Sequence, residues 1–368
     1  MHTDHWPADA VAAVTHPDPY PYYAALAEHE APRRDERLRL WVVAHPATVR
    51  EVLAHPDCGV RPVHEPVPAA LAGAAARLFG ALVRMNDGAR HAAPKASLQG
   101  ALARLPPAQV AERAGTVAAR IAAHIAAGAA HAVDDAAALN AFVCGVPVQT
   151  VASLLGFADE QLPDVAAAVG RFVACLSPLA TAAELAAGAV AAQALLDALR
   201  RLVQCGPRTA LLAALVQAPW PDEHTMLANL AGLMTQTHEA TAGLLGNCIV
   251  ARLRGAAAGP AELVVDVMAR DPAIHNTRRF AARDVTIAGV RVPAGQAFLL
   301  VLAGVRGRDT AGFGHGRHAC PGHATARAIV AQALHVLPAL RPLSRVAWRY
   351  RPSVNARMPH FIDEQEAT

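Results

Sequence analysis

The stretch from Thr225 to Ala251 constrains this chain most: it holds no proline and one formally charged residue, Glu239. As an α-helix it runs about 40 Å, and a helix apolar nearly all round has to be covered on every side. A membrane is the other solvent that accepts such a helix. Asn229, Gln236, His238, Glu239 and Asn247 argue against it, because each would sit in hydrocarbon at high cost. The stretch therefore reads as the buried spine of a large domain, with a polar knot at its middle. The 368 residues of the chain supply enough material to wrap it.

The covering material is small. Apolar types make up 54% of the chain and aromatics 4%, so the interior is expected to be helices packed through alanine, leucine and valine. The 33 basic and 30 acidic residues leave a net charge of +3 with no basic tail or stripe, which argues against nucleic acid as the main partner. Six cysteines are scattered without CxxC spacing, and MHTDHWPADA lacks the order of a secretion signal. The expectation is a reduced, cytoplasmic protein without membrane association, whose cysteines other than Cys320 are small core residues.

Along the chain, DPYPYYAALAEH predicts a helix after proline, LRLWVVA a strand and HPATVREVLAHP a short amphipathic helix. From 66 to 210 helix follows helix, with breaks expected at Pro106-Pro107, Gly145, Pro163 and Pro178. DVTIAGVRVPAGQAFLLVLAG, residues 284–304, is the clearest β region, with turns at Gly289 and Pro293-Ala294-Gly295. The fold class is thus mainly α with a small β region, expected as one domain over residues 1–368.

FGHGRHACPG, residues 313–322, crowds glycines, histidines, an arginine and a cysteine into one loop. A strand region precedes it and a helix follows, so Cys320 lies near a helix N-terminus, where unpaired N–H groups favour a thiolate. Gly314, Gly316 and Gly322 let the backbone approach something flat and large, Phe313 offers a ring to pack against it, and His318 offers a donor to an anionic group. A thiolate held by backbone donors suits axial ligation of haem iron. A zinc site built from His315, His318, Cys320 and His323 is the rival, although one crowded loop gives strained tetrahedral geometry.

This loop resembles the Phe-x-x-Gly-x-His-x-Cys-x-Gly pattern of the cytochrome P450 superfamily, with Phe313, Gly316, His318, Cys320 and Gly322 in place. The resemblance implies the cytochrome P450 fold, a soluble bacterial type of enzyme, and haem b bound through Cys320. DGARHAAPK resembles the family's His-x-x-x-Arg helix, with His91 kept and Lys95 where arginine is usual. HNTRRFA places Arg279 at the family's haem-contacting arginine. The resemblance implies that His91, Lys95, Arg279 and His318 share the two haem propionates.

Three departures stand out. In QTHEAT, residues 236–241, Glu239 keeps the family's acid and Thr241 its second threonine. Ala240 replaces the first threonine, however, and Thr237 stands where glycine is usual. Thr237, Thr241 and Glu239 are the candidate proton-delivery residues. The family's Glu-x-x-Arg is absent as usually drawn, with Asp266 at the acid, Ala269 at the arginine and Arg270 one place late. VRGRDTAG then leads almost straight into Phe313, where the family has a longer irregular segment.

Together these readings imply a monooxygenase that oxidises a small or medium organic molecule with dioxygen and electrons from a ferredoxin-type donor. Arg306, Arg308 and Arg317 are candidates for a basic docking patch. The resemblance implies a pocket drawing on residues 62–84, the helices around 165–195, Leu233, Thr237, Thr241 and Ile274 to Asn276. A peroxide-driven or rearranging haem-thiolate enzyme, and a haem-binding protein without turnover, are the alternatives.

Overall fold

The computed structural model describes residues 6–128, 135–304, 311–337 and 346–364. The N-terminal part runs α1 (Tyr20–Ala27), β1 (Arg33–Asp35), β2 (Leu40–Val43), α2 (Pro46–Ala54) and β3 (Cys58–Gly59). Helices follow: α3 (Gly73–Ala81), α4 (Ala89–Ala103), α5 (Pro107–Gly128), α6 (Asp135–Leu155), α7 (Leu162–Cys175), α8 (Ala182–Gln204), α9 (Ala210–Gln217), α10 (Glu223–Leu253) and α11 (Pro260–Arg270). Then come β4 (Asn276–Ala281), β5 (Val285–Ile287), β6 (Val290–Val292), β7 (Ala297–Val301), α12 (His323–Val336), β8 (Val346–Tyr350) and β9 (Pro359–Asp363). The mainly α composition with a small β region is as the sequence implies. Residues Arg306, Arg308 and most of the short segment before Phe313 lie outside the described residues.

The chain forms two compact units interleaved in sequence. The first comprises Met1–Pro66, Asp266–Cys320 and Tyr350–Arg357. Its centre is a sheet of order β1-β2-β7-β4-β3, in which β2 and β7 run parallel and the other neighbours antiparallel. The register pairs Arg279 with Phe298 and Cys58 with Ala281. One face buries Val49, Val52 and Leu53 of α2 against Phe298 and Leu300; the other buries Tyr23 of α1 with Leu299 and Val301. β5 and β6 pair around Ala288-Gly289, both at positive φ, as a two-residue hairpin turn requires.

The second unit comprises Val67–Val265, Pro321–Arg349 and Met358–Thr368. Its spine is α10, started by Asp222, whose side chain accepts from Thr225 N–H at 2.6 Å. α3, α6, α7, α8 and α12 pack around it. Small residues set the closeness of this packing. A Cβ added at Gly188 of α8 would fall 2.2 Å from Cys175 Cβ of α7, and one at Gly246 of α10 would meet Pro359 Cδ at 3.0 Å.

Two expectations, on Gly145 and on the cysteines, need correction. Gly145 does not break a helix: it lies inside α6, where an added Cβ would meet Ile121 and Gln149 at 3.3 Å each. Close packing against α5 favours a small residue there. The break expected at Pro163 is present: α6 ends at Leu155 and α7 begins at Leu162, with Pro163 in its first turn, where the missing N–H costs nothing. Among the cysteines, Cys58, Cys175 and Cys248 are buried, but Cys205 is exposed and Cys144 half-buried. Asp266 and Arg270 do pair across one turn of α11, but as a largely exposed ion pair. Among the described residues, α6 and α8 are long and apolar enough to cross a membrane by length and composition; the α6 window is 72% buried and the α8 window 33%.

Candidate functional site

In the first unit, the segment from Ala311 to Cys320 folds as two short 3-10 turns that lead to the cysteine. Gly314 N–H donates to Ala311 O at 2.8 Å, Ala319 N–H to Gly316 O at 3.0 Å and Cys320 N–H to Phe313 O at 2.8 Å. Two glycines make this path possible, with φ of 74° at Gly314 and 65° at Gly316. Gly316 also packs on the end of α2, where an added Cβ would lie in ordinary contact, 3.5 Å from both Ala54 Cα and Leu53 O. Arg317 fastens the loop: Nη1 donates to His55 O and Nη2 to Cys58 O, each at 2.9 Å. Its guanidinium is therefore turned onto backbone carbonyls, which corrects its assignment to a docking patch.

Phe313, His318 and Cys320 are half-buried in this loop. His315 and His323 are exposed, and among the described residues no group of histidine, cysteine and carboxylate side chains converges as a metal site. The zinc arrangement fails on that geometry. Cys58, below the loop, has its thiol pushed up to about 11 by burial, against the opposing pull of Arg317 and Arg279. It is an inert core thiol. Arg279 is buried in β4, where Nη1 donates to Arg278 O at 2.8 Å and to Thr277 Oγ1 at 3.3 Å.

In the second unit, Gly322 caps α12 immediately after the cysteine loop. His91 and Lys95 lie one turn apart on α4, both buried. The spacing puts the two donors on one face. On α10 the polar knot breaks the burial: Glu239 is exposed, with Gln236, Thr237, His238 and Ala240 half-buried between buried flanks. Thr241 is buried. The Thr237 hydroxyl donates to Leu233 O at 2.7 Å, so its proton is committed within the helix.

The fold compares closely with solved structures. CalO2 matches with a TM-score of 0.77 at 20% identity, covering 96% of this chain and 97% of its own. P450BioI, solved with an acyl carrier protein ligated by hexadec-9Z-enoic acid, matches with a TM-score of 0.75 at 17% identity over 96% and 98%. P450 RauA, solved with a biosynthetic intermediate of aurachin RE, matches with a TM-score of 0.75 at 20% identity over 96% and 98%. A curated relative, the vitamin D(3) 25-hydroxylase of Pseudonocardia autotrophica, is 28% identical over 214 residues. The chain has the cytochrome P450 fold.

No family model matches it. The match to the curated hydroxylase covers 50% of this chain and spans about half the relative's length, 52%. Within this fold, His91 and Lys95 share one helix face, while Phe313, His318 and Cys320 share one loop beside Arg317. His275 and Asn276, expected as polar pocket groups, are buried instead. The His275 ring lies against Tyr20 and Tyr23 and shares a 3.0 Å hydrogen bond with Tyr23 OH, and Asn276 Nδ2 donates to Val354 O at 2.9 Å. Sequence reasoning passed over Arg84, an arginine in the apolar run ALVRM.

Proposed function

We propose that this protein is a haem-thiolate monooxygenase, one haem domain over residues 1–368, cytoplasmic, acting on a small or medium organic molecule. The observation that carries the reading is the Cys320 loop: two positive-φ glycines, the Cys320 N–H to Phe313 O bond and the Arg317 clamp hold one cysteine at the entry to α12. The other residues fit the cofactor. Lys95 and Arg279 are buried cations and His91 a buried donor, and buried donors of this kind suit carboxylates such as haem propionates. Cys320 would ligate the iron of haem b; His91, Lys95, Arg279 and His318 would hold the propionates; Phe313, Gly316 and Gly322 would shape the bed. When bound, thiolate-ligated haem supplies the activation of dioxygen, with electrons from a ferredoxin-type donor.

This chain's own residues manage the protons. Glu239, exposed at the middle of a buried helix, takes protons from solvent and delivers them inward. Thr241, two positions on, continues the path. Thr237 acts as an acceptor, since its own proton is held by Leu233 O. The absence of a hydroxyl at Ala240 favours a second reading, in which hydrogen peroxide replaces dioxygen and electron donor. Product formation with a ferredoxin and its reductase, set against formation with hydrogen peroxide alone, separates the two. Turnover with neither would leave a haem-binding protein.

A further inference from the structure

Asn229, Gly232, Gln236 and Glu239 recur every three or four residues along α10, so they line one face of it. That face carries the short 3-10 turn Val83–Met85. Asn229 fastens it at two points: Val83 N–H donates to Asn229 Oδ1 at 2.8 Å, and Asn229 Nδ2 donates to Ala81 O at 3.0 Å. Gly232 lets the turn lie close, for a Cβ there would meet Leu82 Cδ2 at 3.0 Å. Arg84, next in the chain, is thereby held beside this face of the helix, within electrostatic reach of exposed Glu239.

Arg84 reaches that place with its Nε unsatisfied. It is half-buried, and its Nε is fully enclosed with no hydrogen-bond partner. Glu239 is close enough to stabilise its charge against the desolvation that opposes it. Yet among the described residues no carboxylate closes an ion pair on Arg84. Attraction at a distance offsets the charge but supplies no lone pairs to the five N–H donors of a guanidinium. The backbone beside Arg84 is fixed by the Asn229 clamp. A planar fork of donors held in this way matches a carboxylate or a phosphate monoester.

We infer that Arg84 is a specificity-determining residue that receives the anionic head of the substrate, a carboxylate or phosphate monoester on an apolar body, across from Glu239. The inference rests on the monooxygenase reading for the identity of the site, but it concerns charge recognition alone.

Isothermal titration of the full-length, haem-loaded protein with decanoate, decyl phosphate and 1-decanol tests it. At least one anion should bind roughly 10- to 100-fold more tightly than the alcohol, the worth of charge-assisted hydrogen bonds. Arg84→Met should erase that preference while 1-decanol binding stays put, and Arg84→Lys should restore part of it. Glu239→Gln, which removes the repelling charge, should strengthen anion binding. Which anion responds more identifies the head group. The idea is overturned if neither anion outbinds the alcohol, or if Arg84→Met leaves the preference intact. It is also overturned if Arg84→Met, with its circular dichroism unchanged, loses haem instead, since Arg84 would then be a propionate partner. The thiolate absorption band of the same samples reports on the haem reading separately. A colourless protein would count against that reading, and the calorimetric comparison of anion and alcohol still decides the role of Arg84.

Discussion

Arg357 Nε donates to Asp271 Oδ1 at 2.9 Å, and this one pair ties together three separated stretches of chain. The guanidinium, 1% exposed, also donates to the carbonyls of Val14 at 3.0 Å, His16 at 2.7 Å and Pro17 at 3.1 Å. It lies 3.5 Å from the centroid of Tyr350, and Tyr20 OH donates to the same Asp271 oxygen. The family's buried Glu-x-x-Arg is absent from this chain, and its α11 pair is exposed. The buried acid–arginine pair here is Asp271–Arg357.

Removing one partner strands a buried charge. Arg357→Leu is expected to cost about 3–5 kcal/mol of stability, read as a lowered urea midpoint with an unchanged slope. The double variant with Asp271→Asn should lose less than the sum of the two singles. Strict additivity would show that the two charges are not coupled.

His275 carries a pH signature. It is fully buried beside Arg357, and burial first, then that positive charge, holds its pKa well below the usual histidine value. The folded state keeps the ring neutral while the unfolded chain takes up a proton near pH 6.5, so stability falls as pH drops below that point. Each unit below it should cost about 1.4 kcal/mol from this residue, down to the folded pKa. Unfolding of wild type and His275→Gln between pH 7.5 and 5.0 should differ in slope by about one proton. Equal slopes would refute the assignment.

Cys320→Ala should abolish the red-shifted band of the reduced, carbon-monoxide-bound protein while leaving far-ultraviolet circular dichroism nearly unchanged. A wild-type protein that purifies colourless with stoichiometric zinc would sink the haem reading.

His318→Leu or Arg279→Leu should each weaken haem retention by about 1–3 kcal/mol, the cost of leaving a buried carboxylate short of a partner. The thiolate spectrum of the remaining haem should persist. Competition with apomyoglobin measures the loss, and retention equal to wild type in both variants would remove these residues from the propionate set.

Ala240→Thr should raise the share of reducing equivalents recovered in product rather than in peroxide, with haem ligation unchanged. A positioned proton-transfer group is worth ~10²–10⁴-fold only where nothing substitutes for it, so the gain depends on Thr241 and Glu239. Wild-type coupling that is already tight and falls on Thr237→Ala would move the relay one turn along α10.

Local pattern made α10 and the Cys320 loop legible in the sequence, because each depends on residues close in the chain. Charge scarcity forecast the spine, and glycine spacing forecast the turns at Gly314 and Gly316. The Asp271–Arg357 pair was not legible, since 86 residues separate the partners and no periodicity links them. Gly145 misled for the opposite reason. A local rule made it a helix breaker, whereas its neighbour across the helix pair, Ile121, makes a small residue favourable inside the helix. Arg84 escaped notice because its meaning depends on Asn229, far along the chain, which sets where it is held.

The uncovered window at the middle of α10 has a practical corollary. In the buried stretches on either side, Met226–Gly232 and Thr241–Val250, a new side chain has to displace a neighbour, so substitutions there will chiefly report crowding. Between Gln236 and Ala240 a change of size or charge meets accessible space. Anyone seeking to redirect this protein toward a different molecule has a short, contiguous place to begin, where altered chemistry can be told apart from altered folding.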